Sequence, residues 1–183
     1  MAVPIQKFRE ILFQLLYSYD IGSPNEEDMI PLIMKEVSVT KKVVREAQAR
    51  VNLILEKLSA IDKLISNTST SYSFDRIQSV ERNILRIGIY ELVFDENIPP
   101  KVAIAEAMRL ARKFGSPESA AFINALLDNI FKANEGLLMD NAQIAQASDA
   151  LLKSEEIANE ISKTIPKKQL DFENSHDPED TSP

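Results

Sequence analysis

The 183-residue chain is 44% hydrophobic and 27% charged, with a net charge of −7, which is typical of one soluble globular domain with some additional chain. It contains no cysteine, so disulfides, thiolate metal sites and cysteine nucleophiles are excluded. Its one histidine, His176, lies among acidic residues near the C-terminus, which leaves Ser-His-Asp catalysis without a supplier of the histidine. We therefore expect neither enzymatic activity nor a cofactor. No apolar stretch approaches the roughly 20 residues that cross a bilayer, and the first ten residues lack a secretory signal, which predicts a cytoplasmic protein without membrane contact.

Apolar residues recur at spacings of three and four, and the chain has only four glycines. This pattern predicts an all-α fold in the form of a compact helical bundle. In the first half it predicts a helix from about Ile5 to Tyr19, a short helix from Glu26 to Val37, and a longer one from Ser38 or Thr40 to about Ile65. A Ser/Thr-rich stretch at residues 66–71 cannot bury much apolar surface, so we expect it to separate two subdomains, residues 1–66 and 72–136.

The segment from Asn83 to Val93, NILRIGIYELV, is apolar almost all round. On a helix this pattern indicates burial on most sides, as in the central member of a bundle. Gly88 predicts the close approach of a neighbouring helix, because a glycine costs about 1 kcal/mol of helix propensity. Arg82 and Arg86, one turn apart, form either a basic pair for RNA or a pair of which one is neutralised by Glu91 or another acid inside the fold. We favour the second, since a buried charge is costly when it is unpaired.

Two further helices carry strong start and stop signals. A proline pair at residues 99–100 begins a helix that reaches about Phe114, and Gly115 is the left-handed residue expected after a helix end. Ser116 is then expected to cap the next helix, which has a proline in its first position and ends near Gly136.

Charge is distributed unevenly along the chain. Residues 137–183 carry four lysines against ten acidic residues, so residues 1–136 are close to neutral. Within that body, the stretch 101–113 has four cations against one acid and a net charge of +3; the cations are Lys101, Arg109, Arg112 and Lys113. This stretch predicts either a basic face that binds phosphates or a solvated helix face, and charge alone favours the solvated face.

Three separated blocks, in this order, resemble the NusB family of transcription antitermination factors. They are REILFQLLYSYD, VERNILRIGIYEL and IPPKVAIAEAMRLARKFGSPESAAFINALLDNI, and the resemblance covers about residues 7–131. It implies two helical subdomains with about seven helices and a non-catalytic adaptor role. It also implies binding of a boxA-type single-stranded element in ribosomal RNA leader transcripts, together with the ribosomal protein NusE. This pair then helps to assemble the antitermination complex on RNA polymerase.

The resemblance implies RNA contacts at two places. One is the N-terminal segment QKFRE, and the other is the turn between the last two helices of the body; the matching residues are Lys7, Arg9, Lys113, Ser116, Glu118, Ser119 and Phe122, to which the basic stretch adds Lys101. Free backbone N–H groups at the helix start would hold a phosphate, and an exposed Phe122 would stack on a base. Glu118 would oppose the phosphate. A core position for Phe122 is the structural alternative.

The resemblance also implies a NusE-binding surface around Tyr17 and Glu81. The structural alternatives are rim packing for Tyr17 and a helix-dipole interaction for Glu81. The alternative function is a helical protein–protein interaction module with weak or no RNA binding.

The extension after Gly136 has a weak apolar pattern that predicts one or two marginal helices, with disorder beyond about residue 166. It could cover the RNA face as an acidic mimic or act as a passive solvating segment. We expect the passive role.

Overall fold

The computed structural model describes residues 3–22 and 26–164, and this part of the chain contains helices and no strands. The helices are α1 (Ile5–Asp20), α2 (Glu26–Val37), α3 (Lys41–Glu56), α4 (Leu58–Thr68), α5 (Ser79–Ile89), α6 (Pro100–Phe114), α7 (Pro117–Asn134) and α8 (Asn141–Thr164). A short 3₁₀ turn, Phe74–Arg76, precedes α5, and a π-helical turn, Tyr90–Phe94, extends it. The predicted all-α fold is therefore confirmed. None of the described helices is long and apolar enough to span a membrane.

The helix α5 is the central member of the bundle. It packs against α1, α4, α6 and α7, and residues 83–89 are buried without interruption. A Cβ atom built on Gly88 would lie 3.0 Å from Leu127 Cδ1 of α7 and 3.2 Å from Ala107 Cβ of α6. The predicted close approach at this glycine is therefore confirmed, and it comes from two helices at once.

Opposite charges hold α1 against α5 at both ends. Near the start of α1, the Arg9 Nε atom lies 2.8 Å from Glu91 Oε1, beyond the end of α5. Near its last turn, Asp20 accepts hydrogen bonds from Arg82 at 2.6 Å and from Arg86 at 2.7 Å. The two helices therefore run antiparallel.

The buried Arg86 has two carboxylate partners. Besides Asp20, it donates to Asp62 of α4 at 2.9 and 2.8 Å. The expectation that Arg86 pairs with an acid is confirmed, but Glu91, one of the partners considered, pairs with Arg9 instead.

Two details of the sequence prediction differ from the structure. The long helix expected up to Ile65 is divided into α3 and α4 at Lys57, whose N–H binds Ile54 O in a tight final turn. Gly115 is extended, with φ −115°, rather than left-handed. A Cβ there would lie 3.0 Å from both Ala111 O and Ser119 Cβ, so close packing explains the glycine.

The extension after the body forms one continuous helix, α8, of 24 residues. Its buried side chains in the described part are Ile144, Ser148 and Leu151. The disorder expected beyond about residue 166 lies outside the described residues. The division into subdomains at residues 66–71 stays a prediction, and α1 and α4 pack against α5 across it.

Candidate nucleic-acid interface

The start of α1 lies beside α6, and the contact neutralises part of the basic stretch. Glu10 of α1 accepts hydrogen bonds from Arg109 at 2.6 Å and from Lys113 at 2.5 Å. Partial burial acts to raise the pKa of Glu10, but the two cations hold it below its ordinary value. Arg109 also donates to Glu106 at 3.0 Å. Two of the four cations that gave the stretch its positive charge are therefore already paired.

Arg9 does not meet the expectation of an RNA-contacting side chain. Its side chain is 3% exposed and contacts Glu91 and, at 3.5 Å, Glu106. Burial raises the pKa of Glu91 although the Arg9 guanidinium opposes this, because the carboxylate is far from water. Releasing Arg9 toward a phosphate would leave Glu91 buried and unpaired, which is strongly unfavourable. Arg9 is thus a structural residue of the α1–α5 contact.

Three other cations remain available on this side of the molecule. Lys101 and Arg112 are exposed and Lys7 is partly exposed, and no ion pair joins any of them to another described residue. Lys101 and Arg112 are eleven residues apart on α6, which places them on the same face of the helix and about 16 Å apart along its axis. Such a spacing suits phosphates of one extended single strand.

The start of α7 is capped as predicted, but its anion site is filled from within the chain. Ser116 Oγ accepts the N–H of Ser119 at 3.1 Å, and Ser119 Oγ accepts the N–H of Ser116 at 3.2 Å. Glu118 lies in the first turn, where its own backbone N–H and the Ser116 hydroxyl lower the pKa of its carboxyl. A phosphate at this helix end would have to displace the Glu118 carboxylate, in agreement with the expected opposing effect.

Phe122 and Ser119 face the interior rather than solvent. Phe122 has no exposed surface, and its ring centroid lies 5.5 Å from that of Tyr72. Ser119 is also buried and donates its hydroxyl proton to Glu81 of α5. The expectation of an exposed Phe122 ring is therefore wrong for this conformation. The ring completes an apolar face of α7 that other parts of the chain cover.

The two residues expected to bind the partner protein lie in different environments. Tyr17 is partly buried and lines an apolar groove of about 850 Å³ together with Phe13, Leu32 and Phe114. Glu81, in contrast, is 5% exposed and sits between α5 and α7. Tyr17 is thus accessible to a partner, whereas the buried Glu81 does not present a free carboxylate.

Sequence reasoning did not single out Tyr72, which lies just after the Ser/Thr-rich stretch. It is buried, contacts Phe122, and has the Arg76 guanidinium 5.6 Å from its ring centroid. An aromatic residue directly after a polar break was the available signal. Its position beside Phe122 depends on the packing of α7 against the turn before α5, which no local pattern reveals.

Comparisons with known proteins agree with this fold. Residues 6–132 match the family model described as the NusB family. The transcription antitermination protein NusB of Chlamydia pneumoniae is 39% identical over 128 residues, which cover 70% of this chain and 80% of that protein. NusB of Fervidobacterium nodosum is 36% identical, over 68% of this chain and 87% of that protein.

Solved structures give the same result. T. maritima NusB superimposes with a TM-score of 0.61 and 31% identity, over 78% of this chain and 98% of that one. A crystal structure of the antitermination factors NusB and NusE in complex with double-stranded RNA matches with a TM-score of 0.59 and 27% identity, over 70% of this chain and 96% of that one.

Proposed function

The chain belongs to the NusB family, and from this premise we propose that it is a non-catalytic RNA-binding adaptor in transcription antitermination. It binds a boxA-type single-stranded element of ribosomal RNA leader transcripts together with the ribosomal protein NusE. Through this pair it joins the antitermination complex on RNA polymerase, in the cytoplasm. The observation that carries the proposal is the match through residues 6–132, which includes almost all of α1–α7.

The RNA-binding face in this proposal centres on the available cations of α6 and the start of α1. Lys101, Arg112 and Lys7 bind phosphates, and Lys113 adds to them when RNA competes with Glu10 for its ammonium group. Ser116 and Glu118 at the adjoining end of α7 border this face, with Glu118 limiting the affinity. With few phosphate contacts, binding should be moderate and its salt dependence shallow.

Titration of a labelled boxA RNA and of a scrambled RNA, at two salt concentrations and with and without NusE, tests this proposal. Replacing both Lys101 and Arg112 by alanine should weaken binding and make the plot of log K against log salt shallower by about 1.4, the value for two lost single-strand phosphate contacts. The matched control replaces Lys57 and Lys63, two exposed lysines elsewhere in the bundle. An equal effect of both double variants would show that these cations act only through net charge.

The partner surface in this proposal is the groove lined by Tyr17. Tyr17→Asp should weaken NusE binding and leave binding of RNA alone unchanged, because none of the cations of the proposed RNA-binding face lines the groove. Tyr19→Asp is the matched control, since Tyr19 is exposed two residues further along the same helix. Wild-type NusE affinity in the Tyr17 variant would overturn this assignment.

The alternative function, a helical protein–protein interaction module, is supported by the internal pairing of Arg9, Arg109 and Lys113. It predicts NusE binding without preference for boxA RNA over the scrambled sequence, in either mixture. The same titration therefore separates the two functions.

A further inference from the structure

The helix α8, which lies beyond the residues matched by the family, runs antiparallel along α7. At one end, Asn129 of α7 donates to Asp140 O, just before α8, at 3.2 Å. At the other end, Ser154 of α8 donates to Glu118 Oε2 at 3.5 Å. These two contacts place α8 along α7 from Asn129 to Glu118.

The helical period identifies which side of α7 faces α8. Residues 118, 122, 125 and 129 form one stripe on α7, since they follow each other at intervals of three and four. Residues 144, 148, 151 and 155 form the matching stripe on α8, and the first three are its buried residues. Phe122 lies in the middle of the α7 stripe, so α8 lies over it.

The surface beneath α8 has the composition of a site for unpaired bases. Tyr72 and Phe122 form a tilted aromatic pair, with ring centroids 5.5 Å apart. The exposed Arg76 contributes its guanidinium 5.6 Å from the Tyr72 ring centroid. Aromatic rings beside an arginine bind single-stranded nucleic acid with little sequence preference, because every base can stack on them and the cation attracts phosphate.

An acidic side chain of α8 occupies this site in the present conformation. The Tyr72 hydroxyl donates to Glu155 at 3.1 and 3.2 Å, and Arg76 attracts the same carboxylate. A carboxylate that accepts a hydrogen bond from a hydroxyl in the field of a nearby guanidinium has the anionic chemistry that a phosphate would bring to these groups.

We propose that α8 covers the RNA-stacking surface that the family resemblance implies at Phe122, beside Tyr72 and Arg76, until RNA displaces the helix. The inference rests on the proposed function, to which it adds the regulation of that site. The covered conformation binds RNA through the cations of α6 and α1 alone. The open conformation adds stacking and binds more tightly.

The contact of α8 with the body is suited to release. The connecting residues 135–140 are exposed, with Leu138 94% exposed, and Gly136 has a left-handed backbone with φ +71°. The far end of α8, residues 156–163, is exposed along its whole length. Three buried side chains and a few hydrogen bonds along one stripe therefore hold the helix in place.

The covered site also contains an electrostatic conflict. Glu81 Oε2 is buried without a hydrogen-bond partner among the described residues. Burial raises the pKa of Glu155, and Glu81 adds to this, whereas Tyr72 and Arg76 act in the opposite direction. Repulsion between two carboxylates in a poorly solvated space destabilises the covered conformation, and Glu155 regains water when α8 leaves.

The main test uses the full chain and two variants that add the same charge to the same helix. Leu151→Glu places a carboxylate in the buried stripe and should release α8, whereas Ile157→Glu places it at an exposed position. We expect Leu151→Glu to bind single-stranded boxA RNA about fivefold more tightly than wild type, because a larger fraction of the molecules is in the open conformation. Ile157→Glu should stay within about twofold of wild type. Hydrogen exchange at residues 119–129 reports release independently.

A second pair of variants tests the covering of the site by strengthening the contact of α8 with the body instead of releasing it. Glu155→Gln removes the conflict with Glu81 and keeps an acceptor for Tyr72, so it should hold α8 more firmly and weaken RNA binding about twofold. Loss of a negative charge alone predicts the opposite, tighter binding. Glu156→Gln, at an exposed neighbouring position, is the control. This pair decides the question if Leu151→Glu fails to fold or to release α8.

The stacking site itself is tested in the released variant. Adding Arg76→Ala to Leu151→Glu should remove most of the gain in affinity, whereas adding Lys63→Ala should not. Two results would overturn the inference: released Leu151→Glu binding RNA no more tightly than Ile157→Glu, or Glu155→Gln binding as tightly as Glu156→Gln. If neither wild type nor any variant prefers boxA RNA to the scrambled sequence, the proposed function fails instead, while exchange still reports whether α8 covers α7.

Discussion

The helices α5 and α8 show two ways in which this fold holds a helix. Seven consecutive residues of α5 are buried, and its two arginines pair with acids of α1 and α4. In α8, three side chains of one stripe are buried and the opposite side faces solvent. The comparison shows that α5 is enclosed by the core, whereas α8 contacts the body along one stripe only.

The two helices should differ most in how much stability is lost when a charged residue is replaced. Removing one partner of a buried ion pair leaves the other charge without water or a counter-charge, which costs several kcal/mol. Exposed ion pairs are screened by solvent and contribute 0 to about 1 kcal/mol. The following variants test this contrast between the two helices.

Arg86→Ala should have the largest effect. It leaves Asp20 and Asp62 without their shared cation, and we expect the free energy of unfolding to fall by about 3–5 kcal/mol. Urea unfolding monitored by circular dichroism measures this loss. Arg45→Ala, at an exposed position of α3, is the control and should change stability by less than about 0.5 kcal/mol. A loss below about 1 kcal/mol for Arg86→Ala would contradict the central role of this pair.

Asp20→Asn should destabilise the protein by about 2 kcal/mol at pH 7. Burial acts to raise the pKa of Asp20, but Arg82 and Arg86 lower it from 3.8 to about 2. One pKa unit corresponds to about 1.36 kcal/mol. Because the folded-state pKa is depressed, this stability is fully present above about pH 4 and is lost as the pH falls through about 2.

Unfolding of wild type and Asp20→Asn should therefore be compared at pH 7 and near pH 2, where the difference between them should nearly vanish. Asp75→Asn, at an exposed position, is the control. The same difference at both pH values would exclude the ion pairs as the cause.

Gly88→Ala should reduce stability by about 1 kcal/mol, although the same change in an open helix stabilises by a similar amount. The added Cβ lies 3.0 Å from Leu127 Cδ1, so α5 and α7 must separate slightly. Shortening the neighbour with Leu127→Val should reduce the penalty of the glycine substitution. Thermal unfolding of the two single variants and the double variant measures the coupling energy between positions 88 and 127. Strictly additive effects would show that the contact with Leu127 does not cause the loss of stability.

Lys153→Ala on α8 should have the smallest effect. Lys153 Nζ lies 2.6 Å from Asp149 Oδ2, but both side chains are exposed. We expect a change below about 0.5 kcal/mol in urea unfolding. A loss above about 1 kcal/mol would show that α8 is part of the cooperative unit, and so would remove the contrast with α5.

Much of the fold could be predicted from the sequence because its signals are local. The Ser116 cap, the buried segment around Gly88 and the need of Arg86 for an acid all follow from spacing and residue type. The partners Asp20 and Asp62 could not be predicted, because they belong to other helices and nothing local specifies which acids reach α5.

The candidate site was harder to predict for the same reason. The net charge of the stretch 101–113 is a property of one segment, whereas Glu10, about a hundred residues earlier, neutralises part of it in the folded chain. Likewise, an amphipathic pattern places Phe122 on a helix face without showing what covers that face. Tyr72 precedes α5 in the sequence, and α8 comes after α7. The burial of Phe122 therefore depends on parts of the chain that are distant from it in sequence.

The charges that join α1 to α5 also make the docking of these helices directional. A cation near the start of α1 meets an acid beyond the end of α5, and an acid near the end of α1 meets two cations of α5. If α1 entered the bundle reversed, Arg9 would meet Arg82 and Arg86, and Asp20 would meet Glu91. Two like-charge contacts in a dry interface would penalise this misfolded topology, so the sequence discriminates between the correct and inverted arrangements where apolar packing alone tolerates both.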